Sequence, residues 1–78
     1  MVKFKSIPEM FEKEKDGRKP NTFRKIDEFD ERFESLFNDC RLITIENVCT
    51  GECFQRKITD VSVWDGWMII SWEHENEK

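Results

Sequence analysis

Apolar side chains fall at Ile26, Phe29, Phe33, Leu36 and Phe37, at steps of three, four, three and one, with acidic residues between them. This spacing predicts one face of a helix over residues 27–39. Asp27 or Asp30 is placed to cap its start, the acids near that end suit the helix dipole, and Asn38-Asp39 ends it. A second helix is predicted over Pro8–Asp16. Ser6 stands three residues before Glu9, the spacing of a capping box, and Pro8 falls early in the helix, where its missing N–H costs nothing. Ile7 is placed to staple against Phe11, and Gly17 supplies the left-handed stop.

Elsewhere the period is two. Residues 2–5 alternate, with Val2 and Phe4 pointing inward. Residues 22–25 form a short strand with Phe23 on one face and Thr22 and Arg24 on the other. Residues 42–48 are β-branched and bounded by polar residues. Residues 52–63 switch face between Phe54 and Ile58 on one side and Val61 and Val63 on the other, which predicts a bulge or strong twist near Thr59-Asp60. Asp65-Gly66 is a two-residue hairpin signal flanked by Trp64 and Trp67. Trp67–Trp72 is the most apolar segment and is expected to be a central strand, apolar on both faces. The order is strand, helix, strand, helix, then three antiparallel strands. That predicts an α+β domain: a twisted antiparallel sheet or partial barrel with two helices. Residues 1–73 form one domain, and the charged residues 74–78 are expected to fray.

Composition sharpens this in two ways. With 78 residues, seven Phe and three Trp, the core must be aromatic-rich, and it supplies a margin of roughly 5 kcal/mol or less. A large buried active-site cavity would be hard to support, and a protein partner or a homodimer would add stability. The net charge of −4 argues against nucleic-acid binding by the whole surface. The charge is uneven, however: +4 over residues 1–25, −5 over 26–39 and −3 over 40–78. A basic patch beside an acidic helix follows.

No export signal or membrane-spanning stretch is visible, and three cysteines make an odd count, so a reducing, cytoplasmic setting is expected. Cys49 and Cys53 flank a Thr50-Gly51 turn. With Cys40 or His74 they make at most a weak zinc signal; edge thiols are the simpler reading, and no metal or cofactor is implied.

The candidate site is the densest positive charge in the chain. Pro20 pushes Lys19 into an extended conformation, and Arg18, Lys19, Thr22, Arg24 and Lys25 then project from a turn-and-strand frame. Lysine and arginine there suit a phosphate or a polarised carbonyl, and Thr22 becomes a nucleophile if a neighbouring lysine loses its proton. The alternative is internal pairing of Lys19 and Arg24 with acids of the second helix. Arg56 shares a face with Phe54 and Ile58 and is expected to reach the mouth of the barrel and join the cluster. Trp64 and Trp67 form either a cross-strand pair that locks the hairpin or, if exposed, a stacking platform.

The segment Gly17-Arg18-Lys19-Pro20-Asn21-Thr22-Phe23-Arg24 resembles the motif of the ASCH domain, a small relative of the PUA fold. Its pattern is glycine, any residue, lysine, two residues, an acid or threonine, any residue, and arginine. Gly17, Lys19 and Arg24 fit, and Thr22 stands where many members have glutamate. Residues 7–16 resemble the family's first helix, and residues 56–61 and 68–72 resemble its closing strands. The short form seen in uncharacterised proteins of Gram-positive phages and mobile elements is the nearest comparison. The resemblance implies a barrel-like sheet with an RNA- or nucleotide-binding cleft beside the motif, in a non-enzymatic module. It also implies an alternative, an amidohydrolase of N4-acylated cytidine using Lys19 and Thr22. Such enzymes use a downstream glutamate from a longer C-terminal half that is missing here, and Glu46, Glu52 and Glu73 are the available substitutes. The acidic helix also departs from the family's Gly-Asp turn and is expected to cover part of the cleft. It supports the other alternative, docking onto a protein partner.

Overall fold

The computed structural model describes residues 2–38 and 41–73. Seven elements follow in order: β1 (Val2–Ser6), α1 (Pro8–Asp16), β2 (Asn21–Lys25), α2 (Glu31–Asn38), β3 (Leu42–Asn47), β4 (Cys53–Trp64) and β5 (Trp67–Trp72). The strands form one curled half-barrel sheet in the order β1-β3-β4-β5-β2. The sheet is mixed, not antiparallel throughout: β1 lies parallel to β3, while the other three pairings are antiparallel. A parallel pair needs a long crossover, and the whole of α1, β2 and α2 supplies it. The chain thus places β1 and β2, near neighbours in sequence, at opposite edges of the sheet.

Alternation along the strands puts Val2, Phe4, Ile43, Ile45, Phe54, Met68, Ile70 and Trp72 on the concave face. Phe11 of α1 packs into this face, edge-on to Phe54 at 5.3 Å, and Phe54 meets Trp72 at 6.1 Å. Phe33 of α2 meets Phe4 at 5.8 Å. These rings join the two helices to the sheet through one core.

The anticipated bulge is present: Ile58 pairs with Trp72 and Asp60 with Ser71, so Thr59 is the extra residue. It returns Val61 to the concave face beside Ile70. The β4–β5 hairpin turns through Asp65 and Gly66, both at positive φ (51° and 79°), the mirror-image turn that matches strand twist.

Several expectations need correction. Ser6 is the last residue of β1 and does not cap α1; Ile7 occupies the cap position without a side-chain bond, and its own side chain is exposed. The second helix begins only at Glu31. Asp30 accepts the Arg32 N–H and so caps the helix, as one of the two anticipated candidates, while Asp27 accepts the Phe29 N–H in a turn that uses up the residues before it. Phe29 is therefore outside the helix and 89% exposed, and Phe37 is exposed as well, leaving Phe33 and Leu36 as the buried stripe. β5 is interior but not central, because β4 holds the middle of the sheet, and its second face (Trp67, Ile69, Ser71) is not buried. Asp39, Cys40, His74 and the expected frayed tail lie outside the described residues.

The corrected stripe has a measurable consequence. Phe11→Ala should cost about 3–5 kcal/mol, enough to unfold much of the population, whereas Phe29→Ala should change stability by less than about 0.5 kcal/mol. Urea denaturation of both variants checks this.

Candidate functional site

The free edge of β1 presents the carbonyls of Lys3 and Lys5, and two arginines take them. Arg32 of α2 donates to the Lys3 carbonyl at 2.8 Å, and Arg24 of β2 donates to the Lys5 carbonyl at 2.9 Å. Their guanidinium carbons lie 4.3 Å and 4.9 Å from the centroid of the Phe4 ring. Arg24 thus reaches from one edge of the curled sheet to the other. Its Nε donates to Thr22 Oγ1 at 2.9 Å and its other terminal nitrogen to Ser6 Oγ at 2.8 Å. Three contacts leave donors of the fork unused.

Two open pockets meet at this seam. One, about 580 Å³, is lined by Lys3, Phe4, Lys5, Arg24, Lys25, Asp27, Asp30, Arg32 and Phe33. The other, about 490 Å³, includes Lys5, Ser6, Glu14, Lys19, Thr22, Phe23 and Arg24. Lys5 and Arg24 belong to both, so the pockets form one groove, and six cations line it against three acids. The acids are partly spent. Asp30 takes a forked contact from Arg32. Glu14, only 1% exposed, accepts from Ser6 Oγ at 2.8 Å and lies 3.6 Å from Lys19 Nζ. Lys3 is paired with Glu46, on the neighbouring strand β3.

Arg24 is held below the ordinary guanidinium value, first by burial and then by the nearby charge of Arg32, while Glu14 acts in the opposite direction. It stays charged, because the arginine value starts so high. A half-buried cation without a contacting carboxylate favours an anion at its open side.

Of the residues singled out in the sequence, Lys19, Thr22, Arg24 and Lys25 line the groove. Lys19 pairs with Glu14 of α1, not with the second helix, and also donates to the Asn21 carbonyl at 3.2 Å. Thr22 is 2% exposed. Arg18 turns back onto Asp16 and lines neither pocket. Arg56 also stands apart: it stacks over Phe54 at 4.7 Å and donates to the Lys15 carbonyl in the last turn of α1. Glu46 and Glu52 pair with Lys3 and Lys15 and do not face the groove. The glutamate that does is Glu14, which sequence reasoning missed. Its signal was its position three residues after Phe11, on the inward face of α1. Lys3, Lys5 and Arg32 were missed because their places depend on the seam. Cys49 and Cys53 are exposed free thiols, and among the described residues no cluster of His, Cys, Asp and Glu could hold a metal ion. No helix among them is long and apolar enough to cross a membrane.

Hydrogen bonds from Arg32 and Lys3 hold the carboxyls of Asp30 and Glu46 below their usual range. A depressed carboxyl contributes stability above its unfolded value, about 4, and loses it as pH falls through its folded value. Stability should therefore decline on the acid side, and Asp30→Asn should flatten that decline in urea midpoints measured against pH. Arg24→Lys keeps the charge but offers one nitrogen where three separate nitrogens now reach Thr22, Lys5 and Ser6; it should cost about 1–3 kcal/mol by the same assay.

Comparison with known proteins adds no family assignment: no family model matches the chain, and no curated protein matches it.

Proposed function

We propose that this protein is a small non-enzymatic binding module that takes the phosphates of an RNA or nucleotide in the seam groove. The observation that carries the reading is Arg24, half-buried, with donors to spare and no carboxylate in contact, at the junction of two cation-lined pockets. Lys5 and Lys25 flank it without an ion pair among the described residues. The reading agrees with the ASCH-like resemblance of residues 17–24, which places a nucleotide cleft beside the same lysine and arginine.

The amidohydrolase alternative gains one observation, since Glu14 lies beside Lys19 in the pocket that Thr22 lines. Two others weigh against it. Thr22 is buried, and Lys19 is engaged by Glu14 and by the Asn21 carbonyl. A protein partner is supported by a pocket of about 390 Å³ that adjoins the groove at Asp27, Asp30 and Phe33 and is lined further by Glu28, Glu34 and the exposed Phe37. It would suit a basic, apolar peptide.

Fluorescence anisotropy of a labelled short RNA at rising salt tests the leading reading. Affinity should fall steeply with salt, and Lys5→Ala with Lys25→Ala should reduce the slope by about two phosphate contacts. Glu14→Gln removes a charge that opposes the anion while keeping a hydrogen-bond acceptor for Ser6, so it should tighten binding severalfold. Binding that ignores salt, or is lost on Glu14→Gln, contradicts the phosphate groove. Release of acetate from N4-acetylcytidine by the wild type, abolished by Thr22→Ala, would establish the enzyme instead.

A further inference from the structure

Five of the ten Phe and Trp side chains are exposed, although a chain of 78 residues has little aromatic area to spare from its core. Three of the five share one surface. Met68, Ile70 and Trp72 point into the core, so their alternates on β5 face outward, together with their cross-strand partners. One outward row runs Lys25, Trp67, Trp64 across β2, β5 and β4, and the next runs Phe23, Ile69, Ser62. Trp64 is 72% exposed and Phe23 54%. A contiguous apolar surface on a sheet face calls for an occupant, unlike scattered surface side chains.

The same face continues into the seam groove. Lys25 lines the groove and lies 5.8 Å from the Trp67 ring centroid, and Lys19 lies 5.8 Å from that of Phe23. Cations and aromatic rings therefore alternate at the boundary. Asp60, the one acid among the outward residues of β2, β5 and β4 in these rows and the next, lies on the far strand and takes a hydrogen bond from Ser62. β2 itself carries no acidic side chain between Asn21 and Lys25; Asp27 and Glu28 lie beyond its end, in a pocket with Lys25 and Gly66.

We propose that this outer face is a stacking platform for unpaired bases, so the ligand of the groove is a single-stranded RNA segment. The inference rests on the phosphate reading of the groove and specifies its substrate. Backbone phosphates lie along Lys5, Arg24 and Lys25, and bases turn over the β2 edge onto Phe23, Trp67 and Trp64. A duplex keeps its base faces stacked inside and offers no such surface; a lone phosphate chain has none.

Tryptophan emission and affinity, measured for a short mixed-sequence RNA, the matching duplex and inorganic polyphosphate, test the platform. The single strand should quench the exposed tryptophans, and the duplex and polyphosphate should not. Trp64→Ala and Trp67→Ala should each weaken the single strand about tenfold and leave polyphosphate affinity unchanged, while Trp67→Phe, which keeps a ring, recovers most of the loss. Equal losses for RNA and polyphosphate, or none for either, overturn the platform and leave the groove reading intact. RNA binding that depends on both tryptophans but not on salt supports the platform and removes the groove reading. A dimer that dissociates on Trp67→Ala and is not displaced by RNA assigns the face to a second copy and overturns the proposal.

Discussion

The guanidinium of Arg24 closes a sheet that its backbone ladder leaves open. β1 and β2 end the strand order at opposite edges, yet curling brings them within reach of one side chain. An open edge is a hazard for any small sheet, and here the β1 carbonyls are taken by arginines from two other elements. The contact is polar and charged, so the seam stays accessible to water and to anions. Had the edges met through apolar side chains, the groove would be core. Glu14, the nearest balancing charge, is bound to the Ser6 hydroxyl and does not touch Arg24. The residue that bridges the two sheet edges is thus also a half-buried cation with no carboxylate in contact, and an anion bound there would stabilise the folded chain.

The overall charge of −4 conceals this arrangement. Cations of β1, β2 and α2 converge on one seam, while the acids of residues 27–34 lie along α2 and the turns before it. Two of those acids, Asp27 and Asp30, are occupied in shaping the backbone, and Asp30 also orients Arg32 towards β1. Part of the acidic segment therefore helps to build the basic groove.

Local chemistry was legible in the sequence wherever it was punctuated. Pro8 and Gly17 bound α1, Asp65-Gly66 makes the hairpin, and the change of face along β4 marked the bulge at Thr59. Apolar period was a poorer guide where side-chain turns compete with helix. Ile26, Phe29 and Phe33 have helical spacing, but Asp27 and Asp30 divert the backbone into turns, and Phe29 ends in solvent. The parallel pairing of β1 with β3 was not legible, because nothing local to either strand distinguishes it from an antiparallel one. The groove was half legible for the same reason. Lys19, Thr22, Arg24 and Lys25 are contiguous, whereas Lys5, Glu14 and Arg32 join them only through the topology. Arg56 was assigned to the groove from its face alone, and that face leads instead to the end of α1.

The most direct test of the central claim is the side-chain Nε–H resonance of Arg24, followed with the backbone amides as short RNA is added at low salt and then at moderate salt. The account predicts a saturable shift of that resonance together with the amides of Lys5 and Lys25, reversed by salt. An unmoved Arg24, or shifts confined to residues 27–38, would contradict it and leave the arginine as a structural bridge alone.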